Sequence, residues 1–124
     1  MTTADWHPEA LEFEVVEFEP GPDEAHSLRL TSVIRDDYAI RVNYEIVPPP
    51  EGLRFGPFGE AEDDLGNSYD DSGGAYGRDP DRNRINGDLS FPLPAPEAKE
   101  LVVRIEWEWL ETWEGGKHTL RLRL

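Results

Sequence analysis

The amino-acid sequence predicts an all-β domain in which two antiparallel sheets pack as a sandwich of about seven or eight strands. Apolar and polar residues alternate with a period of two through most of the chain, which is the pattern of strands with one buried face. Proline and glycine separate these stretches at short intervals. No stretch repeats its apolar residues with the 3.6-residue period of an amphipathic helix.

The first predicted strand covers residues 9–19 and changes its alternation part-way along. Phe13 and Val15 belong to one apolar face, whereas Val16 and Phe18 belong to the opposite face. Because a shift of one residue exchanges the two faces of a strand, the pattern predicts a bulge or a kink at this point. A first strand that leaves one sheet of the sandwich and joins the other would produce it.

Three further segments follow before residue 60. Residues 27–35 are predicted to form a strand, and Asp36 and Asp37 to make the tight turn after it. The next strand has an inward face of Tyr38, Ile40, Val42, Tyr44 and Ile46. Three prolines end it, since proline has no N–H to donate to a ladder. Residues 53–58 are predicted as a weak edge strand or an extended loop, because glycine interrupts them.

The composition changes between residues 60 and 84, where acidic residues, glycine and asparagine dominate. These residue types are typical of turns, so the segment is predicted as a loop region, with Tyr69 as the first inward-facing residue after a turn. A strand follows, with Ile85, Leu89 and Phe91 on its buried face, and prolines close it.

The last two predicted strands show the strictest alternation. The first of them directs inward Leu101, Val103, Ile105, Trp107 and Trp109. The second directs inward Leu120, Leu122 and Leu124. Gly115 and Gly116 are predicted to form the turn between them, which would set Glu106 or Glu108 of the first strand against Arg121 or Arg123 of the second. Strands of this number and spacing are typical of an immunoglobulin-like sandwich.

The composition limits the functions that this chain can have. Its 124 residues predict a single domain spanning positions 1–124, long enough to bury a core. A net charge of −15 disfavours nucleic acids and anionic membranes and favours cations and basic protein surfaces. There is no cysteine, so no disulfide and no thiolate chemistry is expected. With no secretory signal and no apolar run long enough to span a bilayer, the expected location is the cytoplasm.

Two short motifs resemble a known group of domains. The first is residues 62–69, EDDLGNSY, before a glycine-rich stretch. The second is residues 90–94, SFPLP, followed by residues 99–103, KELVV. Over about residues 60–105 they resemble uncharacterised bacterial immunoglobulin-like domains. The resemblance implies the same sandwich fold and a non-catalytic role, and it brings no catalytic residues with it.

Oxygen ligands are concentrated between residues 63 and 88, and calcium binds six to eight such oxygens. The candidate metal ligands are Asp63, Asp64, Asp70, Asp71, Asp79, Asp81 and Asn83, with Asn67 and Asp88 close by in sequence. Residues 79, 81 and 83 have the alternating spacing that opens a calcium loop, but Arg84 stands where that loop requires glycine. The alternative is that aspartate and asparagine act here only as turn residues.

The tryptophans provide a second candidate site. Trp107 and Trp109 alternate with charged residues and are expected in the core. Trp113 would lie in the turn between the last two strands, and Trp6 lies near the N-terminus. These two tryptophans are therefore the candidate residues for contact with a ligand or partner.

The sequence does not indicate an enzyme. The three histidines, including His118, are widely separated and are expected at the surface, and no nucleophile elbow or phosphate-binding loop is present. The leading hypothesis is a non-catalytic interaction module that binds a protein partner through a loop end or an edge strand, with the first and last strands as natural edges. The alternative is a calcium-dependent or carbohydrate-binding module that uses residues 63–88 and Trp113. An enzyme of unrecognised type is the third hypothesis, and Ca²⁺ is the one cofactor considered.

Overall fold

The computed structural model describes residues 8–19, 27–48, 55–79, 81–109 and 113–124, and only the backbone of residues 55, 56, 108, 109 and 113–115. This part of the chain is all-β, with ten strands and no helix, in two antiparallel five-stranded sheets. It accordingly contains no helix long and apolar enough to cross a membrane. The arrangement fits the predicted β-sandwich.

The strands are numbered in chain order and divide between two sheets. Sheet 1 contains, in spatial order, β1 (Glu9–Ala10), β3 (Ser27–Arg35), β4 (Ala39–Val47), β8 (Arg84–Pro92) and β7 (Gly73–Asp79). Sheet 2 contains β2 (Phe13–Glu19), β10 (Trp113–Arg123), β9 (Glu100–Trp109), β5 (Phe55–Asp63) and β6 (Ser68–Asp70).

The structure has ten strands where about seven or eight were predicted, and the difference has two sources. The predicted first strand is divided into β1 and β2, which belong to different sheets. The segment 60–84, predicted as a loop region, contains the end of β5 together with β6 and β7. β7 is an end strand with nearly every residue exposed. A strand that is exposed on both faces shows no apolar alternation, and the glycines of β7 give it the composition of a loop.

The core lies between the inner faces of the two sheets. Sheet 1 contributes Ile40, Val42, Tyr44, Ile46, Ile85, Leu89 and Phe91. Sheet 2 contributes Leu101, Val103, Ile105, Trp107, Leu120 and Leu122. All were predicted to face inward, and each is at most 2% exposed. Burial of one large apolar side chain stabilises a fold by about 1.5–3 kcal/mol, so this layer holds the sheets together.

The turn between β3 and β4 is built by Asp36, as predicted. One oxygen of its carboxylate accepts the backbone N–H of Tyr38 (2.7 Å) and of Ala39 (2.9 Å). Tyr38 therefore lies at the tip of the turn and is 77% exposed, although its place in the alternation predicted an inward position. Local turn chemistry overrides the strand pattern there.

The chain changes sheets as predicted, but it does so between β1 and β2 and not at Val15 and Val16. Ala10 pairs with Ile34 in sheet 1, and Phe13 pairs with Leu122 in sheet 2. The reversal of alternation has its own cause, because Val16 is an extra residue that bulges from β2 where the β2–β10 register shifts. The bulge and the switch are thus two separate features.

The turn of the last hairpin was predicted in the wrong place. β9 and β10 pair as far as Trp109 and Trp113, so Gly115 and Gly116 lie within β10 and do not form the turn. Gly115 lies at a register shift within β10, and Gly116 has a φ of 84°. Glycine suits such a bulge for the same reason that it suits a turn, namely its tolerance of positive φ.

Moving the turn also changes the pairing of charged residues. Lys117 lies opposite Glu106, and Arg121 lies opposite Val102. Neither Arg121 nor Arg123 lies opposite Glu106 or Glu108, because Arg123 lies opposite Glu100, so the predicted register is wrong. Arg121 instead contacts Glu14 of β2 at 3.0 Å and Glu100 of β9 at 2.6 Å.

Candidate interaction edge

The order of the strands decides where a partner strand could be added. The end strands are β1 and β7 in sheet 1 and β2 and β6 in sheet 2. The last strand, predicted as an edge, is internal, since β10 lies between β2 and β9. It is covered because the N-terminal segment crosses to sheet 2 and pairs with it.

β2 has exposed apolar side chains, and no strand of the described residues pairs with its outer edge. Val15 is 47% exposed, Val16 is 43% exposed and Phe18 is 52% exposed. The acidic residues of this strand, also exposed, are Glu14, Glu17 and Glu19. Apolar side chains exposed together along one strand are uncommon on an isolated domain and indicate a place of contact.

The backbone of β2 offers hydrogen-bonding groups on its open side. The N–H of Arg123 donates to the carbonyl oxygen of Glu12 at 3.1 Å, so Glu12 faces β10. Residues of an antiparallel strand face its neighbour alternately. The N–H and C=O of Phe13 and Val15 therefore point away from β10, toward the open side.

A line of rings holds the far end of β2 against the core. Phe18 lies 4.6 Å from His118, ring centre to ring centre. His118 in turn accepts a 2.9 Å hydrogen bond at Nδ1 from Nε1 of Trp107. Trp107 meets Tyr44 of the opposite sheet edge to face at 4.7 Å. Phe18 is thus half-exposed and yet positioned by contacts that reach the centre of the sandwich.

His118 is a residue that the sequence analysis placed wrongly. It was expected at the surface, but it is buried, with 7% of its surface exposed. Its position shares the parity of Leu120 and Leu122, which is the signal that could have placed it on the inner face. Burial lowers the pKa of His118. Because Nδ1 accepts the indole N–H, the neutral ring carries its proton on Nε2.

Ion pairs on the outer face of sheet 2 join β2 to its neighbour. Arg121 bridges Glu14 and Glu100, and Arg123 lies 3.7 Å from Glu12. Two shallow grooves of about 540 and 670 Å³ lie on this face, and both are bordered by β2 and β10. Exposed ion pairs each stabilise the fold by only about 0.2–1 kcal/mol, so they help to set the register of β2 against β10. They lie between these strands and do not involve the outer edge of β2.

The candidate calcium ligands are used by the turns in which they lie. Asp63 is buried, and its carboxylate accepts four hydrogen bonds, from the N–H groups of Leu65 and Asn67 (2.9 Å each), the Asn67 amide (3.0 Å) and the Tyr69 hydroxyl (2.7 Å). Burial alone would raise the pKa of Asp63, but the hydrogen bonds from Asn67, Tyr69 and Leu65 lower it to about 2.

The same motif fastens the β5–β6 turn to the chain before β9. The Tyr69 hydroxyl accepts the N–H of Ala95 at 3.0 Å while it donates to Asp63. This hydrogen bond to Asp63 raises the pKa of Tyr69. The spacing of residues 63, 67 and 69 therefore corresponds to a turn and the hydrogen bonds that anchor it.

The remaining candidate ligands are spread over separate turns. Asp64 accepts the N–H of Lys99, Asp71 accepts those of Gly59 and Gly73, Asp79 accepts that of Arg82, and Asp88 accepts that of Ala75. Asn83 adopts a φ of 51° in the turn between β7 and β8. Asp70 and Asp81 are exposed. Among the described residues, no group of three acidic or histidine side chains could hold a metal ion.

The two candidate tryptophans are not brought together by any described contact. Trp6 lies outside the described residues. Trp113 does not lie in the turn as predicted, since it is the first residue of β10 and pairs with Trp109. Only the backbone of Trp113 is described, so its role as a contact residue stays a prediction.

No protein-family model, curated protein or solved structure matches this chain. The resemblance to bacterial immunoglobulin-like domains therefore stays a prediction. The strongest indication of function in the described residues is therefore the edge formed by β2, where exposed apolar side chains lie on an end strand.

Proposed function

We propose that this protein is a non-catalytic interaction module that binds an extended segment of a partner protein along β2. The observation that carries the proposal is the pairing of an open strand edge with the exposed side chains of Val15, Val16 and Phe18. An added strand would take its affinity from backbone hydrogen bonds and its specificity from alternate side chains.

The charge of β2 and the segment before it defines the chemistry of the partner. Residues 9–19 contain five glutamates and no basic residue. Within β2, glutamates lie next to the exposed valines and phenylalanine. The matching strand alternates lysine or arginine with apolar residues, because like charges directly opposite each other destabilise a strand pair.

The bulge and the glutamates also make the edge selective. Natural sheets use both features to prevent indiscriminate pairing of edges. The extra residue at Val16 interrupts a regular ladder, so a partner must match a bent strand. The edge thus rejects copies of itself and neutral strands while it admits a basic one.

A binding experiment with synthetic strands tests this proposal. The probes are a fluorescent peptide of alternating valine and lysine and a matched peptide of alternating valine and glutamate. We expect the first alone to bind, and the double substitution Glu17→Lys and Glu19→Lys to weaken it about tenfold. Loss of two exposed pairs at about 0.2–1 kcal/mol each, with repulsion added, corresponds to about 1.4 kcal/mol.

Two further variants separate the edge from the overall charge. Val15→Pro removes an N–H on the open side, where proline is tolerated, and we expect it to abolish binding of the lysine peptide without unfolding the domain. The double substitution Glu62→Lys and Glu97→Lys makes the same charge change at exposed positions away from β2 and should leave the affinity within about twofold. Equal losses for this control and for the double variant in β2 would show attraction to net charge and would reject the site.

A further inference from the structure

His118 is a buried ionisable side chain that lies between the core and the proposed binding edge. The residue is 7% exposed, and its ring centre lies 4.6 Å from that of Phe18, one of the exposed apolar residues of β2. On its other side the ring accepts the 2.9 Å hydrogen bond from Trp107. The position of Phe18 at the edge therefore depends on the state of this imidazole.

The surroundings of His118 suit the neutral imidazole. Nδ1 accepts the indole N–H of Trp107, so a proton on Nδ1 would set two donors against each other. A charged ring would also be buried without compensation, because no carboxylate of the described residues forms a hydrogen bond or an ion pair with it. Burial accordingly lowers the pKa of His118. Protonation therefore favours a ring displaced from its place between Trp107 and Phe18.

Acidic side chains lie on the side toward which a charged ring can move. His118 borders the groove of about 540 Å³ on sheet 2, and so do Glu17 and Glu19 of β2. Glu106 and Lys117 border the same groove as an ion pair of 3.3 Å. The further charged residues around this groove are Glu60, Asp70 and Arg104. An imidazolium that enters the groove gains water and nearby carboxylates, which favour its charged form.

From sheet 1, Tyr44 approaches these rings. It meets Trp107 edge to face at 4.7 Å. Burial, and after it the charge of Asp88, raises the pKa of Tyr44, so its hydroxyl stays uncharged while His118 titrates. The titration that changes the contacts of Phe18 is therefore that of His118.

We propose that His118 couples partner binding at β2 to pH, so that protonation of its ring displaces Phe18 and releases the bound strand. This inference rests on the proposed function, because it concerns the regulation of the same edge. Two effects act in the same direction. Phe18 loses its support, and the imidazolium competes with the partner's basic side chains for Glu17 and Glu19. The partner and the proton therefore weaken each other's binding by the same factor.

Fluorescence anisotropy of the valine–lysine peptide in a series from pH 7.5 to pH 5.0 tests the proposal. We expect the dissociation constant of the native chain to rise about tenfold over this series. His118→Asn retains an acceptor for Trp107 but cannot titrate. Whatever its affinity at pH 7.5, its dissociation constant should change by less than about twofold. Glutamates that gain protons affect both proteins alike, so the comparison isolates the imidazole.

The other two histidines of the chain provide the matched control. The double substitution His7→Asn and His26→Asn makes the same chemical change elsewhere and should leave the pH response intact. Nuclear magnetic resonance follows the proton on His118 directly. In the native chain, saturating peptide should move the midpoint of the His118 titration to lower pH, because the partner opposes the proton. This measurement does not depend on the folding of any variant.

The outcomes separate this inference from the proposed function. A dissociation constant that is the same at pH 7.5 and pH 5.0, or that changes equally in His118→Asn, would overturn the inference and leave the proposed function intact. So would a His118 titration that is identical with and without peptide, or a response that disappears with the substitutions at His7 and His26. A peptide that fails to bind at pH 7.5 would overturn the proposed function and this inference with it.

Discussion

The carboxylate of Asp63 shows how much one side chain can determine locally. It joins the two ends of the β5–β6 turn through Leu65 and Asn67, and through Tyr69 it holds the chain at Ala95. An acidic residue that is saturated with donors has little capacity left for a metal ion. Its role is therefore structural, and the consequence can be measured as a dependence of stability on acid.

We predict that Asp63 makes the domain sensitive to acid. Its pKa is lowered from 3.8 to about 2, so its contribution to stability is complete above pH 4 and is lost as the pH falls toward 2. Asp63→Asn removes this carboxylate and should lower the melting temperature at pH 7 while flattening the decline below pH 4. Thermal unfolding monitored by circular dichroism measures both effects.

Asp70→Asn is the matched control for this prediction, because Asp70 is an exposed aspartate of the neighbouring strand. It should leave the melting temperature and its acid dependence nearly unchanged. If Asp63→Asn and the native chain decline in parallel below pH 4, other carboxylates govern the acid sensitivity and the prediction fails.

A second residue-scale prediction concerns His118. Burial lowers its pKa below 6.5, so the unfolded chain binds the proton more tightly than the folded chain does. The stability that His118 contributes is complete above about pH 6.5 and declines as the pH falls through its folded pKa. Protonation of Nδ1 would also oppose the N–H of Trp107, which donates to that atom.

His118→Asn retains an acceptor for Trp107 but cannot titrate. Denaturant unfolding at pH 7 and pH 5 should show a loss of stability for the native chain and a smaller change for the variant. The fluorescence of the tryptophans should shift with pH in the native chain over the same range. Equal changes in both proteins would place the titrating group elsewhere.

At the scale of the strands, the sequence predicted best those strands that have one buried apolar face and one exposed polar face. β3 has the predicted bounds, and β4, β8, β9 and β10 contain most of the residues predicted to face inward. Tyr38 is exposed, and the side chain of Trp109 lies outside the described residues. One face of each of these strands is buried, so apolar residues occupy every second position and the sequence shows which face points inward. β7 is exposed on both faces and leaves no such pattern.

The partners of the strands were harder to predict than the strands themselves. β10 was expected at an edge because nothing in its sequence shows that β2 pairs with it. Gly115 and Gly116 were expected to form a turn, but they lie at a bulge. Turns and bulges both need residues that tolerate positive φ, so a pair of glycines is compatible with either. Which strands pair with each other depends on contacts between residues distant in sequence. The alternation of residues within one strand gives no information about those contacts.

The candidate site illustrates the same limit. Composition drew attention to the aspartates between residues 63 and 88, but each of those with a described hydrogen bond accepts it from a backbone N–H or side chain within the fold, in a turn or between neighbouring segments. The edge of β2 became a candidate only when the strand order was known. Of the two strands predicted to be edges, the first is an end strand among the described residues and the last is internal.

For the whole molecule, the charge of −15 acts on the proposed edge at β2 over a long range. A basic strand is attracted to β2 by many glutamates, and salt screens this attraction. Binding of a basic strand should therefore weaken as the ionic strength rises.

We predict this weakening between about 0.05 and 0.5 M sodium chloride, over which the screening length falls from more than 10 Å to less than 5 Å. The dissociation constant of the valine–lysine peptide, measured by fluorescence anisotropy, should rise about tenfold or more. A dissociation constant that does not change with salt would mean that the glutamates of β2 do not attract the peptide, and the proposed charge of the partner strand would then be wrong.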